Sequence, residues 1–429
     1  MYRRFLIFIT KLLMRALRIL GRNGSALPGL LMEKLYPNFL ERVLGPVEKQ
    51  VVLVTGTNGK TTTTKMLVTG LRAAGHRVVT NSTGSNMTRG LIAALIEDMS
   101  YLGSLKPTDW FVFEMDEAYA PIFTKNISPR LLVGLNVLRD QLDRYGEIDT
   151  TAQLIQRAAL SSDVFVYSAL DPLLVSVAKI ASEHKCRVIS FGVRDELIAQ
   201  VANEQSTHGS AVVQSDVDIL LESVTESDAS QRLQVSSGAQ SGEMQIPVRG
   251  FHNALNALAV YGTLSELVQD SSKLDQALSG ISAMPTPFGR GEQLYIKGKH
   301  VTVALVKNPS GFATNLTTFV KQKTPDAVLF VVNDQFADGR DVSWLWDVDF
   351  RSKMDKNITT FTSGIRAYDM ALRLQHDGIT PTTIEPNVLR AVEQILRSNH
   401  KNIVIIPTYT ALFEVRAALA KHGKVPRIW

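Results

Sequence analysis

A lysine and a threonine framed by glycines offer the most definite chemistry in this chain. Thr55-Gly56-Thr57-Asn58-Gly59-Lys60-Thr61-Thr62 can cradle a phosphate. Backbone N–H groups at a helix N-terminus point at the anion, the two glycines let the backbone approach, Lys60 supplies charge and Thr61 can hold Mg²⁺. The generic phosphate loop has a further glycine five places before Gly59, where this chain carries Val54, so the loop is shortened. Glu114 directly follows an apolar run and can share the Mg²⁺ that bridges ATP phosphates; a plain surface acid is the rival reading, with Asp116 and Glu117 beside it. Asn253 and Asn256 lie three apart on one helix face and can read an adenine edge, although asparagine near a helix start is also a common cap. Arg290 is of the type that clamps a phosphate or ribose across a domain boundary, or is simply solvated. Asp341 stands among Asp334, Asp338, Asp347 and Asp349, near Trp344 and Trp346. The Asp-x-Asp-x-Asp-Gly spacing of a calcium loop is missing, so by itself Asp341 reads as a cap or a solvated acid. Cys186 is the single cysteine, with no motif around it; it excludes an intrachain disulfide or a zinc site of several thiolates, and the chain offers no nucleophile.

The elements that position these residues are legible as alternating apolar runs. Residues 51–54 read as a buried parallel strand, and 61–74 as the helix after the loop, with Met66, Leu67 and Leu71 on its apolar side. Further short strands are expected at 78–81, 110–113, 131–135, 165–167 and 187–191, separated by helical segments. That alternation predicts an α/β fold: a central domain with a parallel sheet and its ligands at the strand C-terminal ends. Residues 194–246 turn polar, and an insertion folded as a small β-meander is expected there, loose at 236–242. A strong helix opens near Phe251, and Pro285, Pro287 and Gly289 mark a boundary. Strand–helix alternation from His300 onward predicts a second, smaller α/β domain. The expected organisation is a basic amphipathic segment over 1–45, a central domain over 46–298 and a C-terminal domain over 299–429.

At 429 residues the chain is long enough for two or three domains, and its composition is that of a globular protein. The net charge of +5 is concentrated at the start: residues 1–42 carry +6, leaving −1 for the rest. With no basic stripe through the body, nucleic acid is excluded as a partner. Arg4, Lys11, Arg15, Arg18 and Arg22 share one side of a helix expected over 2–21, opposite Phe5, Ile9, Leu12, Leu13, Ala16 and Leu20. Charges interrupt the apolar run too often for a spanning helix, and no cleavage site marks a signal peptide. Two readings stand: a helix on an anionic membrane surface, or a helix packed on the protein. A cytoplasmic protein is expected, with or without peripheral attachment at the inner face of the membrane.

The phosphate loop, His252-Asn253-x-x-Asn256 and Gly289-Arg290-x-Glu292 together resemble the Mur ligase family, the ATP-dependent amide-bond formers of peptidoglycan synthesis. The resemblance is strongest to the amidating subgroup. It runs through Leu27-Pro28-Gly29, Gly84-Ser85-Asn86-Met87, the stretch 139–147, Lys307-Asn308-Pro309-Ser310-Gly311, Asn333-Asp334, the stretch 337–344 and Pro407-Thr408-Tyr409-Thr410. Gln141 and Lys307 stand where amino-acid-adding members carry histidines, and no lysine falls between Lys125 and Lys179, where those members carry a carbamylated one. The resemblance implies ATP binding by residues 56–62, Asn253, Asn256 and Arg290, with Mg²⁺ at Thr61 and Glu114. It implies an acyl phosphate on the D-glutamate α-carboxylate of lipid II, displaced by ammonia from a GatD-like glutamine amidotransferase subunit. Asp341 then reaches across to the partner's Cys–His pair and completes a triad in trans. The subgroup often carries a four-cysteine zinc ribbon; residues 194–246 hold no cysteine, so no zinc is expected and the insertion must hold itself by its own packing. The rival functions are an amino-acid-adding ligase of Mur or folylpolyglutamate type and a non-catalytic nucleotide-gated scaffold.

Overall fold

A computed structural model describes residues 2–19, 26–81, 87–138, 148–201, 216–227, 230–238, 240–284, 290–335, 337–355 and 357–426. Two sheets organise it. The first runs β2 (Val78–Val79), β3 (Trp110–Glu114), β1 (Val51–Thr55), β4 (Leu131–Gly134), β5 (Val164–Ser168), β6 (Arg187–Val193), β7 (Ile219–Glu226), β8 (Gln231–Ser237) and β9 (Gln240–Ile246). Neighbours from β2 to β7 pair in parallel, and β7, β8 and β9 pair antiparallel. The chain leaves β1 for β3 on one side and later takes β4 on the other. The crevice at the C-terminal end of β1 is therefore the switch point where a doubly wound sheet takes its ligand.

Every residue of β1 is buried, as its β-branched run requires. Because successive side chains alternate across a sheet, Val52 and Val54 join the core formed with the helices Lys60–Ala73, Phe251–Leu267 and Ser271–Ser282. Val51 and Leu53 join the opposite core with the helices Thr88–Asp98, Ile148–Ala159 and Pro172–Glu183. The N-terminal helices Tyr2–Ile19, Ala26–Leu35 and Phe39–Leu44 enter this second core through Leu6, Ile7, Met14, Met32, Phe39 and Leu44. Within the segment expected over 1–45, these three helices are thus packed on the central domain. Gly29 permits this: a Cβ there would overlap the Arg89 carbonyl of the neighbouring helix.

The meander expected in 194–246 is present, but its supposed self-sufficiency is corrected. Ile219, Leu221, Leu233, Val235, Met244 and Ile246 belong to the same core as Val52 and Val54, beneath the helix Phe251–Leu267. It is an antiparallel extension of the main sheet, held by that helix.

The second sheet runs β10 (Arg290–Ile296), β11 (Lys299–Ala304), β15 (Asn402–Pro407), β12 (Ala327–Val331), β13 (Thr359–Ser363) and β14 (Thr383–Glu385). Only β10 is antiparallel to its neighbour. The boundary expected at 298/299 falls inside the β10–β11 hairpin, so the C-terminal sheet already begins at Arg290. Lys297 and Gly298 both adopt positive φ (51° and 75°), the tight turn that joins twisted antiparallel strands. One face of this sheet is covered by the helices Val388–Arg397 and Tyr409–Ala420. The other is covered by Pro309–Asn315, Leu316–Lys321 and Ala367–His376, around a cluster of Phe312, Phe330 and Phe350.

Candidate active site

The loop after β1 is only four residues long, Gly56 to Gly59, before the helix begins at Lys60. Gly56 and Gly59 take φ of 125° and 90°, values that favour glycine. Neither has room for a side chain: a Cβ on Gly56 would press on the Asn136 backbone, and one on Gly59 would overlap Asn256 Oδ1. The loop is fastened to the segment after β4. Thr57 N–H donates to the Asn136 carbonyl (3.0 Å), and the Thr57 hydroxyl bridges Leu138 N (2.9 Å) and O (3.1 Å). Asn136 brackets Asn58, accepting from its N–H (2.9 Å) and donating to its carbonyl (3.1 Å).

Lys60 Nζ donates to Gly56 O (2.5 Å) and Thr57 O (3.3 Å) and lies 3.3 Å from the Glu117 carboxylate. Thr61 Oγ1 donates to Glu114 Oε1 at 3.0 Å. Glu114 is held by its own backbone, which exchanges bonds of 2.8 and 3.0 Å with the Asn81 amide. The surface-acid reading of Glu114 therefore fails: Glu114, Asp116 and Glu117 are 7%, 7% and 4% exposed. A hydroxyl and a carboxylate at a helix N-terminus, beside a lysine, are hard oxygen donors of the kind Mg²⁺ takes together with waters and phosphates. The residues fit the ion. Among the described residues no group of three His, Cys, Asp or Glu could hold a metal on its own.

A cavity of about 1080 Å³, counting its open mouth, lies against this loop. Asn58, Gly59 and Thr62 form one wall, Asn253 and Asn256 another, and Ser310, Gly311 and Asn315 of the C-terminal domain a third. The cavity's position at the switch point of the sheet, between the two domains, is the setting of a ligand site. Asn253 and Asn256 are buried, and they bond to one another (3.2 Å), with Asn253 also donating to Arg249 O (2.6 Å). Asn256 thus buttresses Gly59 as well as lining the cavity. The Arg290 side chain lies outside the described residues, as do residues 84–86 and 139–147. Glu292 forms an ion pair with Arg416, both side chains being largely buried, and so ties β10 to the last helix.

Asn308 reaches the loop from the C-terminal domain, and Tyr409 of the same domain lies within the field of Glu114. Asn308 exchanges amide bonds of 3.1 and 3.3 Å with Asn58 while capping Gly311 N at 2.9 Å. Tyr409 packs under Lys307 Nζ (5.2 Å from the ring), and burial, then the charges of Glu114 and Asp338, push its phenol up. Glu117, Asn81, Asn136 and Tyr409 were not singled out for this site from the sequence; the acid run after β3 signalled Glu117, and the stretch 407–410 contained Tyr409 without a role. Asp341 lies apart from the loop's contacts. Its two carboxylate oxygens accept from Ser343 N (2.8 Å) and Ser343 Oγ (2.9 Å), which sets the turn Ser343–Asp347. Cys186 is buried, and burial with the nearby Asp163 charge pushes its thiol up to about 11, so it is no thiolate at neutral pH.

The two-sheet fold is that of solved Mur ligases. MurF from Acinetobacter baumannii superposes with a TM-score of 0.68 over 89% of this chain and 78% of that one, at 15% identity. MurF from Thermotoga maritima, solved in complex with ADP, superposes at 0.65 over 92% and 84%, at 16% identity. Residues 54–264 match the Mur ligase middle domain. The class is therefore an ATP-dependent ligase of the Mur type. Residues 305–412 match the MurT ligase C-terminal domain. The chain is 30% identical to the MurT subunit of lipid II isoglutaminyl synthase (glutamine-hydrolyzing) from Streptococcus pneumoniae (strain ATCC BAA-255 / R6), over 94% of this chain and 93% of that one. It is 27% identical to the MurT subunit from Staphylococcus aureus (strain COL), over 95% of each. The chain belongs to the MurT family.

Proposed function

We propose that this chain is the synthetase subunit of a glutamine-dependent amidating ligase acting on the D-glutamate α-carboxylate of lipid II. The observation that carries the reading is chain-long similarity to MurT subunits; a loop suited to phosphate and a single, buried cysteine that offers no glutaminase nucleophile support it. ATP sits in the interdomain cavity with its phosphates on the loop, and Lys60 exchanges its Glu117 contact for phosphate oxygen. Thr61 and Glu114 would hold Mg²⁺, which when bound would supply charge neutralisation for the phosphates. The γ-phosphoryl group passes to a carboxylate oxygen, giving ADP and an acyl phosphate. The ammonia lone pair then attacks the carbonyl carbon, the C–O bond breaks to release phosphate, and the nitrogen sheds a proton.

Ammonia comes from a GatD-like subunit. Ile365, Tyr368 and Leu372 stand 56%, 65% and 58% exposed at spacings of three and four, an apolar face suited to a protein partner. The helix bearing Tyr368 and Leu372 abuts the turn set by Asp341, with Arg373 donating to Leu345 O (3.0 Å). A carboxylate there can orient a partner histidine, fixing its tautomer and stabilising the imidazolium. The test is Asp341→Asn in the reconstituted complex. Ammonia-dependent amidation should remain, while the glutamine-dependent reaction falls by about 10²-fold or more. Survival of glutamine hydrolysis would reduce Asp341 to a residue that shapes its own turn.

A further inference from the structure

The helix Tyr2–Ile19 has two apolar faces, and the protein covers one. Leu6, Ile7, Thr10 and Met14 are buried, with Arg3 donating to Gly103 O (3.0 Å) and Lys11 to Glu97 O (3.1 Å). Phe5, Phe8, Ile9 and Leu12 stand 60%, 43%, 38% and 44% exposed. At helical spacing these four fall within an arc of about 100°. Arg4, Lys11 and Arg15 line one edge of that arc, and Lys11 and Arg15 both sit 5.2 Å over the Tyr101 ring. Leu102, 70% exposed, extends the apolar surface beside Tyr101.

We infer that this face docks on an anionic lipid bilayer. The helix lies in the headgroup plane, its exposed apolar side chains enter the acyl boundary, and the flanking cations meet lipid phosphates. The charge pattern selects this occupant. Pairing the face with an antiparallel second copy would bring two basic strips together, which is unfavourable, whereas an anionic surface neutralises the strip. No helix among the described residues is long and apolar enough to cross a membrane, so the contact is interfacial. Binding depends on neither ATP nor a lipid-linked substrate, so its failure and a failure of the proposed reaction are separable.

Full-length protein is sedimented with vesicles of phosphatidylcholine alone or mixed with phosphatidylglycerol. Binding is expected on the anionic vesicles, with little on the neutral ones, and it should fall as salt is added. Phe5→Ser/Leu12→Ser should weaken it about tenfold or more, since both lose apolar burial. Arg4→Gln/Arg15→Gln should do the same, at about fivefold per charge. Neither pair should shift the thermal midpoint or ATP turnover. Equal sedimentation of wild type and Phe5→Ser/Leu12→Ser overturns the inference, as does absence of wild type from anionic vesicles. A dimer in light scattering that Phe5→Ser/Leu12→Ser dissolves would assign the face to self-association instead.

Discussion

Lys60 and Glu117 form a largely buried ion pair, with side chains 12% and 5% exposed. A buried acid that loses its cation is costly, whereas removing both charges is much less so. Lys60→Ala should therefore abolish ATP turnover and also lower stability by about 3 kcal/mol, the low end of the range for a broken buried pair, since Lys60 keeps some exposure. Adding Glu117→Gln should return most of that stability and none of the turnover. Denaturant unfolding beside an ATPase assay reads both; a Lys60→Ala protein that turns over ATP normally would remove the phosphate role. Glu117 was legible only as one acid in a run, because nothing local says that its carboxylate points at a lysine 57 residues earlier.

At the scale of elements, the strand–loop–helix unit is held by close approach. Gly59 is in the left-handed region and faces Asn256 on a helix nearly two hundred residues away in sequence. Gly59→Ala combines backbone strain with a displaced amide, and should cost about 1–3 kcal/mol. It should also raise KM for ATP, because Asn256 lines the cavity in which ATP is proposed to sit. A variant with wild-type KM and melting temperature would mean that the loop relaxes freely. The observed helix Lys60–Ala73 and strands β1, β3, β4 and β5 lie within a residue or two of where apolar patterning put them. β10 and β14 were not foreseen. β10 begins beside a Pro/Gly-rich boundary, and β14 spans just three residues, too few for alternation to register.

Across the whole molecule, the two domains meet at amide–amide bonds between Asn58 and Asn308. Asn308 also caps its own helix through Oδ1. Asn308→Asp keeps the cap acceptor but cannot donate to Asn58, so it isolates the interdomain contact. The expected result is a KM for ATP raised about fivefold, from the loss of one bond worth about 1 kcal/mol, with a thermal midpoint close to wild type. Steady-state kinetics with both proteins decides it. An unchanged KM would mean that the crevice closes without this contact.

Local residue type determined the phosphate loop, because left-handed glycines, a β-branched strand and a helix start are properties of neighbouring residues. The motifs also sufficed to place the chain in its family. What Lys60, Thr61 and Asn256 touch was decided by tertiary structure, since their partners come from other strands and helices. The N-terminal helix marks the limit most clearly. Its sequence carries two apolar faces, and the expected one, with Phe5, Ile9 and Leu12, is the one left exposed. Which face packs depends on the shape of the surface beneath: Gly103, where a Cβ would press on Ile7, gives the narrower face its seat. Periodicity measures how apolar a face is, and only the folded surface determines which face it can receive.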